Sequence, residues 1–137
     1  MLLMGEYVTY VNLDKKEVVF ITPAKFSEQF CSYQPTVLLW LLTKLTPSDR
    51  IGTGWGELGN YKTLGRWAGD RVMCIGDYHP LYDELKVSEF KDITCEVIEE
   101  IIDYCKRNGF EEELKYFNLE LKIHREVNEG IEGEIKN

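Results

Sequence analysis

Val, Tyr, Ile and Phe crowd two short runs on either side of the polar stretch Asp14-Lys15-Lys16, and this pattern predicts a β-hairpin over Tyr7 to Leu13 and Glu17 to Thr22. Pro23 has no N–H to give to a ladder and is expected to close the second strand. Phe26 and Phe30, spaced i, i+4, suit a short helical turn within Ala24 to Ser32. Pro35 suits the first turn of a helix over Thr36 to Leu45, which Thr46-Pro47-Ser48-Asp49 would end. The middle of that helix is apolar all round, which predicts a buried position.

From Ile51 to Leu64 neither the strand nor the helix period holds, and Gly52, Gly54, Gly56 and Gly59 predict a long ordered loop. Within Arg71 to Tyr78, the run Val72-Met73-Cys74-Ile75 before Gly76-Asp77 reads as a buried strand with a central place in a sheet. Over Asp92 to Asn108, Ile93, Val97, Ile101 and Cys105 follow at i+4 steps, while Glu96, Glu99, Glu100 and Asp103 take the other face of an amphipathic helix. Asp92 or Thr94 can cap its start, Lys106 and Arg107 suit the negative end of its dipole, and Asn108-Gly109-Phe110 matches a left-handed C-terminal cap.

After Phe110 the pattern predicts a short helix over Glu111 to Phe117. A half-buried strand is expected next, where Leu119, Leu121 and Ile123 alternate with Glu120, Lys122 and His124, and then a frayed polar tail over 126–137. The sum is one α+β domain over 1–137: a small antiparallel sheet with a buried apolar helix and an acidic amphipathic helix packed on it.

Composition supports this. Of 137 residues, 44% are hydrophobic and 12% aromatic, enough for a core and unlike a disordered chain. Sixteen Lys and Arg against 24 Asp and Glu leave a net charge of −8, which argues against direct binding to a nucleic-acid backbone. The longest apolar run, Val37 to Leu42, is far short of the ~20 residues that cross a bilayer, and no charged-then-apolar leader opens the chain. A soluble, cytoplasmic protein without a membrane partner is expected. The string Met4-Gly5-Glu6-Tyr7-Val8-Thr9 fits the loose myristoylation pattern, but its last residues read as a strand. Cys31, Cys74, Cys95 and Cys105 form no C-x-x-C pair and are expected to be free, buried thiols.

The richest stretch runs from Gly65-Arg66-Trp67-Ala68-Gly69-Asp70-Arg71 to Gly76-Asp77-Tyr78. Together with Val11-Asn12-Leu13-Asp14-Lys15-Lys16-Glu17, it resembles a family of small proteins that share a V-N-L-D-K-x-E hairpin and a G-R-W-A-G-D-R segment leading into G-D-Y. The resemblance covers the first two-thirds of the chain and implies a shared fold unit, with no activity attached.

Asp70 and Asp77 bracket the expected strand and would lie ~20 Å apart, too far for a carboxylate pair that needs ~5 to 10 Å. Arg66, Asp70 and Arg71 are expected to form a charge-assisted network that fixes the glycine-rich loop, and Trp67 to pack against the core. Asp77, His79 and Asp83, flanked by Tyr78 and Tyr82, have ligand-type spacing, but a solvated turn explains them as well; no metal or cofactor is expected. His124 reads as a solvated surface histidine. The string Gly54-Trp55-Gly56-Glu57-Leu58-Gly59 matches a dinucleotide fingerprint without its strand-to-helix context, so Trp55 is better read as a partner-contacting or self-plugging aromatic.

Between Asp77 and Cys105, nine acidic residues stand against two lysines. This concentration predicts either a solvated helix face or a docking face for a basic partner. Two functional expectations follow. One is a small acidic non-enzymatic interaction protein, an inhibitor or adaptor that docks on a basic, nucleic-acid-binding protein through Glu96, Glu99, Glu100 and Asp103. The other is a ligand-binding protein or hydrolase in which Arg66, Asp70 and Arg71 grip an anion and Asp77 or His79 moves a proton. A small sheet also leaves an edge that a second copy of the chain can cover, so a homodimer is compatible with this reading.

Overall fold

The three-dimensional structure, a computed structural model, describes residues 7–25, 27, 32–44 and 61–136, with side chains for all of these but 21–25 and 127–136. The Met4 string, most of the expected turn over Ala24 to Ser32 and the loop carrying Trp55 lie outside the described residues.

The expected hairpin forms: β1 (Tyr7–Asn12) pairs antiparallel with β2 (Glu17–Lys25), with Asn12 opposite Glu17 and Tyr10 opposite Val19. Its turn is set by Asn12, whose Oδ1 accepts the Lys15 N–H at 2.7 Å, and by Lys16, which takes a left-handed φ of 55°. Pro23 does not close β2. The strand runs two residues past it, because the register shifts between Tyr7 and Thr9 and Pro23 falls in that irregular stretch, where a missing donor costs no regular ladder bond.

The next strand, β3 (Val72–Gly76), pairs antiparallel with the far side of β1, so the sheet order is β3-β1-β2-β4, with a two-residue β4 (Lys91–Asp92) parallel to β2. The expectation of a central β3 is therefore corrected: β3 is an edge strand, and the hairpin is the centre. For the same reason Cys74 is exposed and not a buried thiol; Cys95 is half-buried and Cys105 buried.

Both faces of the hairpin are covered, which explains why its apolar residues run on without clean alternation. Tyr10 and Val19 face one core with α1 (Pro35–Leu42), α3 (Thr94–Asn108) and the start of α4 (Glu111–Lys136). Val11 and Val18 face a second core under the short α2 (Pro80–Glu84) and a 3-10 turn at Val87–Glu89.

Helix α1 starts at Pro35 as expected, but it is buried on one side only. Val37 and Leu41 are fully enclosed, whereas Leu39 is 66% exposed and Leu42 is also exposed. The segment 61–70 folds back on its end: Gly65 and Trp67 donate their N–H groups to the carbonyls of Trp40 and Leu41 at 2.8 and 2.9 Å, satisfying acceptors that the helix leaves open.

Helix α3 carries the expected caps. Asp92 accepts the Thr94 N–H at 2.9 Å, and Gly109 has φ 71° and closes on the Cys105 carbonyl. Beyond it, the expected helix-then-strand is one helix: α4 runs from Glu111 to Lys136. The residues it buries, Phe117, Glu120, Leu121 and His124, follow the helical i, i+3, i+4, i+7 pattern, while Leu119 is 57% exposed. Two polar residues on the buried side hid that period and left the alternation of Leu119, Leu121 and Ile123 as the visible signal.

Candidate functional site

The two motif strings are locked to each other side chain by side chain. Glu17, 3% exposed at the start of β2, receives Arg66 Nε on Oε1 at 3.0 Å and the Trp67 indole N–H at 2.9 Å, with Arg66 Nη2 on its other oxygen. Asp14 accepts the Arg71 backbone N–H at 2.7 Å and its Nε at 2.8 Å. Asp70 receives the Asn12 amide at 2.9 Å and pairs with Lys15. The network joining Arg66, Asp70 and Arg71 is thus built through the hairpin and not among the three themselves. Trp67 is fully buried, as a core aromatic would be.

The electrostatics follow from these contacts. Burial pushes the Glu17 carboxyl up, but the hydrogen bonds from Arg66 and Trp67 outweigh it and hold the group below its ordinary value. Asp14 is held low by the backbone and side-chain N–H groups of Arg71, and Asp70 by Lys15 and Asn12. Glu17 is the centre of this lock and was missed from the sequence. Its signals were its place at the end of the hairpin motif and a carboxylate set directly before Val18-Val19 in a strand.

Asp77 lies at the other end of β1, where its Oδ1 accepts the Tyr7 N–H at 3.1 Å, so it is not brought together with Arg66, Asp70 and Arg71. Tyr78 beside it is exposed. His79 caps α2, with Nδ1 accepting the Leu81 N–H at 3.0 Å, which gives that ring a local structural task. His124 is corrected from a solvated histidine: it is 7% exposed, with Nε2 3.1 Å from Asp92 Oδ2. Burial pushes Asp92 up, but the bonds from His124 and Thr94 outweigh it and leave it low. Among the described residues, no three His, Cys, Asp or Glu side chains gather as metal ligands.

The four carboxylates singled out on α3 do come together. Glu96, Glu99, Glu100 and Asp103 line one open cleft of about 590 Å³ with Tyr61, Thr63, Lys62 and Arg107. They do not share one role. Glu100 accepts the N–H groups of Lys62 and Thr63 at 2.8 and 2.7 Å, and also the Thr63 hydroxyl, which in turn accepts the Trp40 indole N–H at 2.9 Å. Asp103 takes the Tyr61 hydroxyl and pairs with Arg107 at 2.9 Å; both donors hold its carboxyl low. Glu99 pairs with Arg125 from α4. Glu96 is exposed and has no ion pair among the described residues.

Next to this cleft is an apolar groove of about 440 Å³ between α1, α3 and the start of α4, lined by Leu39, Trp40, Tyr104, Phe110 and Phe117 with Glu113 on its wall. These residues come from three separate helices, so no single stretch of sequence announces the groove. No family model matches the chain, and neither does any curated protein or solved structure. Among the described residues, no helix is long and apolar enough to cross a membrane.

Proposed function

We propose that the protein is a non-enzymatic interaction protein, an inhibitor or adaptor that docks on a basic, nucleic-acid-binding protein through the outer face of α3. The observation that carries this reading is the gathering of Glu96, Glu99, Glu100 and Asp103 along one open cleft. Glu100 is satisfied there by N–H groups that carry no net charge, and Glu96 is exposed, in the field of Arg66 but with no ion pair among the described residues, so both bring negative charge to a cleft that also holds Lys62 and Arg107. A cleft focuses such a field and raises the rate of encounter with a basic surface. Glu100 and Asp103 also anchor 61–63, so replacing them would disturb the fold as well as the charge.

The informative variant is Glu96→Gln combined with Glu99→Gln. Isothermal titration with a short Lys/Ser peptide should show binding at low salt that weakens as salt rises, and about fivefold weaker binding by the variant, as expected for two exposed charges. No binding by the unaltered protein, or equal binding by the variant, would remove this reading.

A further inference from the structure

We infer that the docking element of the partner is an amphipathic basic helix, with its apolar side seated in the groove between α1, α3 and α4 and its Lys or Arg side chains on the α3 carboxylates. This rests on the docking reading above and names the kind of partner it takes. The first ground is the groove itself. Leu39 is 66% exposed and Phe110 44% exposed at its rim, over a floor of Trp40, Tyr104 and Phe117, so an apolar groove with two exposed hydrophobic side chains at its rim opens to the surface.

The second ground is the shape of the site. The Tyr104 ring lies 5.6 Å from Trp40 and 6.0 Å from Phe110, centroid to centroid, so the three rings pack as one continuous apolar wall. A groove walled by helices beside an anionic cleft takes an amphipathic helix, which presents an apolar stripe and a charged side at once.

The third ground is charge complementarity. Among the described residues no Lys or Arg lines the groove, and Glu113 on its wall is half-buried and has no ion pair. Tyr61 joins the two surfaces: its ring meets Trp40 at 5.3 Å and Tyr104 at 6.3 Å, while its hydroxyl rests on Asp103 in the acidic cleft. Apolar and anionic surfaces therefore lie side by side across Tyr61 and Tyr104. A neutral apolar partner would bury Glu113 without a counter-charge, and a purely polar basic one would leave the groove wet. An amphipathic cation answers both.

The test uses fluorescein-labelled peptides of about 18 residues, roughly five helical turns. One has Leu on one helical side and Lys on the other, one has the same residues shuffled, one is Lys/Ser, and one is Leu/Glu with the first pattern. Anisotropy should show the patterned Leu/Lys peptide binding at least about tenfold tighter than the shuffled one, as for a buried anchor. Leu39→Lys, at a position that is already exposed, should abolish that preference and leave Lys/Ser binding in place. Glu113→Gln, on the first turn of α4, should weaken the patterned peptide without touching apolar contacts.

Equal binding of patterned and shuffled peptides, or no effect of Leu39→Lys, overturns the helix-in-groove inference while leaving the basic-partner reading standing. Equal binding of the Leu/Glu peptide overturns the charge component. Failure of all basic peptides at low salt overturns both readings together.

Discussion

Glu17 shows how one buried carboxylate can hold two distant parts of a chain together. The Arg66 fork and the Trp67 indole supply four hydrogen bonds to it, so its charge is accommodated at 3% exposure. Because its folded-state pKa is depressed below the ordinary 4.5, its contribution to stability is full above that value. The contribution shrinks as pH falls below 4.5 and is gone once pH has passed the lower folded-state value. Asp92, depressed below 3.8, adds loss in the same direction. The thermal midpoint should accordingly fall as pH drops from 5 toward 3, roughly in the range of these carboxylates, and Glu17→Gln should start lower and fall less steeply. Equal slopes would show that Glu17 is not a stabilising group.

Gly65 is a second residue whose identity is dictated by its surroundings. Its φ is +72°, and an added Cβ would lie 2.7 Å from the Thr43 carbonyl oxygen, whereas Gly69, at +85°, has open space around it. Gly69→Ala should cost about 1 kcal/mol for the left-handed backbone alone. Gly65→Ala should cost about 2 to 3 kcal/mol, since backbone must also move. Denaturant melts of the two variants measure the difference.

At the scale of elements, legibility depended on whether a local pattern was also the tertiary one. Helix α3 was readable because its buried residues past Thr94, namely Val97, Ile98, Ile101, Ile102 and Cys105, are apolar and its caps lie beside them in sequence. The hairpin was readable from its β-branched runs and polar turn. Helix α4 was not: Glu120 and His124 occupy its buried side, stabilised by long-range partners such as Gln34 and Asp92 that no local pattern announces. The edge position of β3 was hidden too, since a five-residue apolar strand looks the same at the edge and the centre of a sheet.

Helix and strand make opposite demands on Leu119 and Leu121, which a strand would place on one face and the helix separates into exposed and buried. Leu121→Ala should cost about 2 to 3 kcal/mol and Leu119→Ala about 0.5 kcal/mol or less. Equal costs in urea unfolding would contradict the helix.

At the scale of the whole molecule, a net charge of −8 is spread unevenly along the chain. Clustering on α3 was visible in the sequence, but its division of labour was not. Glu100 and Asp103 secure 61–63, Glu99 ties α3 to α4, and Glu96 faces solvent. The apolar groove beside them depends on Leu39, Tyr104 and Phe110 meeting in space, which no single stretch of sequence could show.

On the proposed function, this combined surface on α3, α1 and the start of α4 is where a basic partner docks. The most direct measurement is an NMR titration of the isotope-labelled protein with the patterned Leu/Lys peptide, following every backbone amide. Docking there would concentrate the shifts at 36–43, 96–107 and 110–117, with the hairpin and β3 unchanged. Shifts centred on β3 and the hairpin turn, with α3 silent, would contradict it.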